Sequence, residues 1–281
     1  MSDITFFNRQ HLRQQRLRNH PKLEQHGFLF EWAGDQVLDR LHDIKKTFPV
    51  TIGIGDRIPK KFWAALKEQK NIQSLFVCDL AKAEIIADSE LLPFQENSAD
   101  LVVSVLDLQN VNDLPGTLAQ IKKILKPDGL FIGCLFGGET LYELRESLMQ
   151  TDINMTSGAS PRVAPFADTQ SMGALLQRAG FELPVVDSEI VRVSYQTMFN
   201  LMADLRGMGE VNVLTARRKT FTPPGFFAHA AEYYQNNFRE DDGRVTASFE
   251  VIFLIGWSPH ESQQKPLRRG SAEHSLTEFL E

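Results

Sequence analysis

The sequence predicts an α/β fold built on a mostly parallel sheet, and three observations in one stretch of chain carry that prediction. Leu101 to Leu106 is a short, nearly uninterrupted apolar run with three valines, as a strand covered on both faces requires. Leu114 to Leu125 then repeats its apolar residues at helical spacing. Pro127-Asp128-Gly129 stops that helix ahead of a second apolar run, Leu130-Phe131-Ile132-Gly133. Strand, helix, turn and strand make a βαβ unit.

The flanking elements repeat the pattern. Val37, Leu38, Leu41 and Ile44 mark a helix over Gln36 to Ile44, and Val50-Thr51-Ile52-Gly53-Ile54-Gly55 reads as the first strand running into a glycine turn. Lys60 to Gln69 is a helix with Pro59 near its start, and Ser74 to Cys78 is the second strand, ending at Asp79. Downstream, Thr169 to Ala179 is a helix with Asp168 or Thr169 available as its cap and Gly180 as its stop. Val185 to Tyr195 and Val245 to Trp257 alternate and are rich in β-branched residues, so they read as long strands. Between them lie a helical segment, Thr197 to Arg206, and an aromatic-rich one, Phe221 to Phe238.

Composition excludes several classes. A hydrophobic content of 42% with 23% charged residues suits a globular protein, and no apolar run approaches the length of a membrane span. A net charge of −6 argues against a general nucleic-acid binder, which needs an excess of Lys and Arg. Cys78 and Cys134 each end an apolar run and read as unpaired core thiols, which fits a reducing compartment. Arg9, Arg13, Arg16 and Arg18 stand against Asp3 alone, and no apolar stretch accompanies them, which excludes a secretory signal; the segment reads as an amphipathic helix with a basic face lying over the domain, with a transit peptide as the alternative.

Leu91-Leu92-Pro93-Phe94 before the Leu101 strand, with Lys126-Pro127-Asp128-Gly129 after the helix, resembles the second half of a class I S-adenosylmethionine (SAM)-dependent methyltransferase domain. Further motifs narrow the likeness. Val111-Asn112-Asp113-Leu114-Pro115, Phe136-Gly137-Gly138-Glu139-Thr140, Gly207-Met208-Gly209-Glu210 and His260-Glu261-Ser262-Gln263 resemble the methyltransferase-like assembly factors of respiratory complex I, over roughly Lys22 to Ser275. The resemblance implies a Rossmann-like class I methyltransferase sheet, mostly parallel with an antiparallel last strand, degenerate around the second and third strands and carrying a helical insertion before the last strand. It divides the chain into a basic helical segment (1–34), a methyltransferase-like domain (35–258) with a helical cap at 197–238 over the strand ends, and a tail (259–281).

For the cofactor, the resemblance points to Gly53 and Gly55 as the turn, Asp79 as the ribose acid at the end of the next strand, and Asp88 and Ser89 as the adenine loop, with Leu106 at the end of the fourth strand. Two departures weaken that site. Where the family has acidic-x-Gly-x-Gly-x-Gly, this chain has Thr51-Ile52-Gly53-Ile54-Gly55-Asp56-Arg57, which lacks the acid and the third glycine; Asp56 adds a carboxylate, and Arg57 beside it carries the offsetting charge. Only eight residues separate Asp79 from Asp88, too few for a crossover helix and a third strand together, so the site is expected to be open and its SAM binding weak or lost.

Methyl transfer from an activated donor needs mainly alignment, so catalytic residues are hard to read from sequence. Where relatives often carry a His-Trp pair after the fourth strand, this chain has Gln109 and Asn110, which hydrogen-bond but are not bases. The seven histidines show no short ligand spacing, and no metal is expected. Glu139, Tyr142 and Arg145 share one helix face, as a surface ion pair or an acceptor-binding face. The family implies a protein partner, with complex I subunits the candidates, and a place in the cytoplasm or at the periphery of the inner membrane of a bacterium. A small-molecule or carrier-protein methyltransferase, similar to the malonyl-carrier-protein enzyme of biotin synthesis, and a non-catalytic assembly chaperone are the alternatives. His260 to Gly270, with its three cations, is expected to contact that partner or close on the acceptor site.

Overall fold

Apolar runs too short for buried helices become strands, and the computed structural model, which describes residues 5–155 and 158–264, places seven of them in one sheet. These are β1 (Val50–Ile54), β2 (Ser74–Asp79), β3 (Ile85–Ile86), β4 (Ala99–Val105), β5 (Leu125–Phe136), β6 (Glu182–Tyr195) and β7 (Val245–Trp257). Their order is β3-β2-β1-β4-β5-β7-β6. β1 to β5 pair in parallel, and β7 runs antiparallel to both β5 and β6.

Both faces of the sheet are covered, which is why the central strands carry almost no polar residue. Leu101, Val103 and Val105 of β4 enter a core with Phe30, Val37 and Phe62, whereas Val102 enters the opposite core with Leu118, Ile121 and Leu176. The first face is built by α3 (Phe28–His42) and α4 (Lys60–Gln69), and the second by α5 (Leu114–Ile124) and α7 (Thr169–Ala179). At the N-terminus, α1 (Arg9–Asn19) and the short α2 (Leu23–His26) lead into α3; α6 (Tyr142–Met155) follows β5, while α8 (Met198–Met208) and α9 (Pro224–Asn237) fill the connection from β6 to β7. Asp168 caps α7 by accepting from the Ser171 N–H at 2.8 Å.

Local chemistry explains where elements differ from expectation. α3 begins at Phe28 rather than Gln36 and runs without a break across position 34, because Leu29, Phe30, Ala33 and Val37 form one buried stripe. β5 starts at Leu125, so Pro127-Asp128-Gly129 interrupts a strand and does not precede it; Ala99 pairs with Leu125 and the register resumes at Leu101 with Leu130, with Asp128 left-handed at φ 62°. β3 exists, with only two pairs, Cys78 with Ile85 and Asp79 with Ile86. Ile85 meets β2 near its carboxyl end, so the chain need not return along the strand and no crossover helix is required. Within the β6–β7 connection Leu201, Phe226 and Tyr234 are buried, whereas Phe199 is half exposed. Cys78 and Cys134 are buried free thiols, and burial pushes both up to about 12. Among the described residues no helix is long and apolar enough to cross a membrane. Residues 265–281, and with them Arg268, Arg269 and most of the proposed partner-contacting segment, lie outside the described residues.

Candidate active site

The carboxyl ends of β1, β2 and β4 converge on a group of buried charges. Asp79, at the end of β2, is 4% exposed. Its Oδ1 accepts from the backbone N–H of Ala81 (2.6 Å) and Lys82 (3.3 Å), and its Oδ2 from that of Asp56 (3.2 Å) and from Arg16 Nη1 (3.5 Å). Asp107, just past β4, accepts from the same Arg16 nitrogen at 2.6 Å and from Ser89 Oγ at 3.2 Å. Ser89 Oγ accepts in turn from Arg9, which also pairs with Asp88. Of the sequence-predicted residues, Asp79, Ser89 and Asp88 are thus linked in one network through Arg16, Asp107 and Arg9, and Leu106 joins it through Arg57, whose guanidinium lies 4.0 Å from Asp107.

Leu106 holds a left-handed φ of 49°, a conformation that costs a leucine on the order of 1–3 kcal/mol and is concentrated at functional sites. Its carbonyl accepts from the Arg57 guanidinium and from Gln109 Nε2 (2.8 Å). Arg57 does not offset Asp56, as its neighbouring position suggests; it reaches Glu210 instead, while Asp56 accepts from Trp63 Nε1 at 3.1 Å and burial raises its pKa.

The two glycines act differently. Gly55 has φ +90°, and a Cβ there would lie 2.9 Å from that of Asp107, so only glycine makes this turn. Gly53 stays inside β1, where a Cβ would come within 2.4 Å of the Trp63 ring. Its missing side chain makes room for tryptophan rather than for a ligand. Gly53→Ala is expected to cost about 1–3 kcal/mol by overpacking, measured as a lower urea midpoint with unchanged slope.

Glu210 is a further candidate site residue, within the motif Gly207-Met208-Gly209-Glu210, that no local sequence signal singles out. Gly209, left-handed at φ 79°, ends α8 and turns the chain so that Glu210 faces the end of β4. There it pairs with Arg57 and accepts from Gln109 Nε2 (3.2 Å) and Asn110 Nδ2 (3.4 Å). Arg16 and Asp107 were also missed; Asp107 ends the β4 apolar run just as Asp79 ends that of β2. Next to Glu210 opens a cavity of about 330 Å³ with apolar walls from Phe136, Leu144, Phe166, Met202, Leu205 and Phe227, and with Asn110, Thr140, Arg162, Arg206, Glu210 and Asn212 as its polar residues. Arg162 is already held by buried Asp152 at 2.7 and 2.9 Å. Glu139, Tyr142 and Arg145 do not form one working face: Arg145 Nη2 turns back to the carbonyls of Gly138 and Thr140 (2.9 and 2.8 Å).

The donor and acceptor set fits the parts of SAM. A ribose diol needs a carboxylate such as Asp79, an α-ammonium needs a carbonyl such as that of Leu106, and a carboxylate needs a spare donor, which the buried and unpartnered Arg57 Nε supplies. The expectation of an open site is not met. α1 covers the ends of β2 and β4, so the missing crossover helix leaves no gap there.

Residues 58–133 match the methyltransferase domain family. The chain is 40% identical to the mitochondrial arginine-hydroxylase NDUFAF5 of Homo sapiens over 272 residues, covering 92% of this chain and 78% of that protein. It is 37% identical to the malonyl-[acyl-carrier protein] O-methyltransferase of Xylella fastidiosa over 177 residues, 63% of this chain and 58% of that one. Among solved structures, a Bacillus halodurans methyltransferase-fold protein covers 81% of this chain and 99% of its own at a TM-score of 0.52, with 14% identity, a likeness of fold alone. By the extent and level of its identity, the chain belongs to the NDUFAF5 family of methyltransferase-like proteins.

Proposed function

We propose that this protein uses SAM to modify an arginine side chain of a protein partner during assembly of respiratory complex I. The observation that supports it is the cavity beside Glu210. Its apolar walls suit the aliphatic stem of an arginine, and the Glu210 carboxylate in its lining suits a guanidinium, as its pairing with Arg57 illustrates. In this reading Asp79, Gly55, Asp88, Ser89 and Leu106 hold the cofactor, Gly53 shapes the strand beneath it, and Glu210, Gln109 and Asn110 stand between cofactor and acceptor. SAM supplies an activated group; the chain's own residues align it with the guanidinium and exclude water. The division into segment 1–34, domain 35–258 with its cap at 197–238, and tail 259–281 belongs to the same proposal, as does a place in the cytoplasm or on the inner-membrane periphery.

Two experiments test it. Calorimetric titration is expected to find SAM binding weaker than micromolar, lost in Asp79→Ala with the fold intact; sub-micromolar binding, or unchanged affinity in the variant, contradicts the assignment. Peptide mass spectrometry of complex I subunits from cells with and without this protein is expected to find one arginine heavier only when it is present. An added methyl group matches transfer from SAM; an added oxygen, which SAM does not supply and which needs a separate oxidant and reductant, matches the activity named for the NDUFAF5 relatives and contradicts SAM as the donor. Impaired assembly with no mass difference favours a chaperone. The carrier-protein O-methyltransferases suggest a second reading, supported by exposed Arg206 at the cavity, which suits an acyl carboxylate. Glu210 opposes it by like charge.

A further inference from the structure

α1 is an unusual helix to find buried against a site. Eight of its eleven residues are outside the core; only Leu12, Arg16 and Asn19 are buried. A helix with one apolar anchor has little packing energy of its own and belongs to the part of a structure that opens at low cost. What it does bury is chemically specific. Arg16, 3% exposed, sits on the ribose acceptor Asp79 and on Asp107. Leu12, 1% exposed, packs with Leu80, the residue after Asp79, and with Val213 and Leu214. Arg9 binds Asp88 and Ser89. Acid, apolar wall and loop are the three surfaces an adenosyl group needs, and one helix takes all three.

The spare donors of Arg16 make the same point from the other side. Its Nε and Nη2 are buried with no partner, an arrangement that costs about 1–3 kcal/mol and is kept only where something else offsets it. The helix is therefore an imperfect occupant. Its start is tied by backbone to the segment after α8: the Asn8 N–H donates to the Val213 carbonyl at 2.8 Å, the Thr215 N–H to that of Phe6 at 2.8 Å, and Phe7 bridges Leu214 in antiparallel fashion.

We propose that α1 is an intramolecular competitor of the cofactor: Arg16, Leu12 and Arg9 occupy the adenosyl subsite in the free protein, and SAM enters only when α1 leaves. The proposal rests on the reading that SAM binds at Asp79. Its departure exposes Asp79 and Asp107 to water instead of stranding them in the core, so release costs less than deleting Arg16 in place. Because α1 hangs on residues 213–215, next to Val211, Asn212 and Val213 of the acceptor cavity, a partner seated in that cavity pulls on the latch.

A Phe7→Cys/Leu214→Cys double variant tests this. Antiparallel bridge partners have Cα atoms about 4.5–5.5 Å apart, within the span a disulfide closes, so oxidation pins the segment leading into α1. Calorimetry with S-adenosylhomocysteine on one preparation is expected to find at least tenfold weaker binding in the oxidised form, restored by dithiothreitol. Arg16→Ala, checked for folding by circular dichroism, is expected to bind at least tenfold more tightly than the parent. Equal affinity of oxidised and reduced protein overturns the competitor while leaving the cofactor site standing. Weaker binding in folded Arg16→Ala also overturns it and makes Arg16 a cofactor ligand. Absence of binding in every form, reduced protein and Arg16→Ala included, removes both the site and its competitor.

Discussion

Asp107→Ala is expected to lower folding stability by about 3–5 kcal/mol, because it leaves the buried Arg16 guanidinium with only its 3.5 Å contact to Asp79 and takes from Arg57 one of its two neighbouring carboxylates. Arg16 loses its 2.6 Å partner, Arg57 a carboxylate 4.0 Å away, and Ser89 an acceptor, all in a region less than a tenth exposed. Equilibrium urea unfolding measures the loss. Its pH dependence has a definite sign. Burial acting alone raises the Asp107 carboxyl, but the charges of Arg16, Arg57 and Arg9 outweigh it and hold the group below its ordinary 3.8. A carboxylate depressed in the folded state stabilises the fold at every pH above its unfolded value and surrenders that contribution as the pH falls through the folded one. The gap between parent and Asp107→Ala is therefore expected to stay constant from about pH 7 to about pH 5 and to close only below about pH 4. A gap already closing at about pH 6 places the responsible charge elsewhere.

Phe253→Ala is expected to cost a similar 3–5 kcal/mol, the usual range for emptying a phenylalanine site in a core. Phe253 is 1% exposed in the middle of β7, with the Trp32 ring at 6.1 Å and the Arg40 guanidinium 3.7 Å over its face. Arg40 also reaches Asp187 (2.8 Å) and Glu189 (2.9 Å) of β6, so the ring organises the contact of α3 with two strands. Arg40→Ala removes only the charge and the partly exposed pairs, and is expected to cost about 1 kcal/mol or less. Thermal denaturation of the two variants side by side checks the ratio; equal losses mean that the guanidinium, and not the ring, carries the contact.

Sequence and structure agree where the determinants are local. Lys60–Gln69 and Thr169–Ala179 carry their stop or cap residues beside them, and Val245–Trp257 alternates up to Glu250 and then runs apolar and rich in β-branched residues, so local pattern alone locates them. The β5 start was misread because Pro127-Asp128-Gly129 looks like a turn to any local rule; that it is a bulge depends on Leu125 finding Ala99 across the sheet. The site divides in the same way. Asp79 and Leu106 were legible as strand ends. Arg16 is visible only as one of several N-terminal arginines, since nothing within its own helix says that it turns inward to a carboxylate 63 residues away while Arg13 and Arg18 stay exposed. Glu210 stood in a motif that was noticed, but its role depends on Arg57, 153 residues earlier in the chain. Pairings at that separation are set by topology, which a single sequence does not print.

The strand order has a consequence for the way the chain is made. Among the described residues β7 is the last strand synthesised, yet it lies between β5 and β6, paired with Leu130–Phe136 on one side and with Glu182–Tyr195 on the other. Until residues 245–257 leave the ribosome, β5 shows a free edge of unpaired amides and carbonyls, and β6 has no neighbour at all. Such an edge, flanked by Phe131 and Ile132, is a template for association with other chains during those seconds of synthesis. The nascent protein thus passes through a stage in which that edge is open to association. A chain truncated before Val245 is expected to stay in that state, recovered as insoluble aggregate rather than as a smaller folded domain.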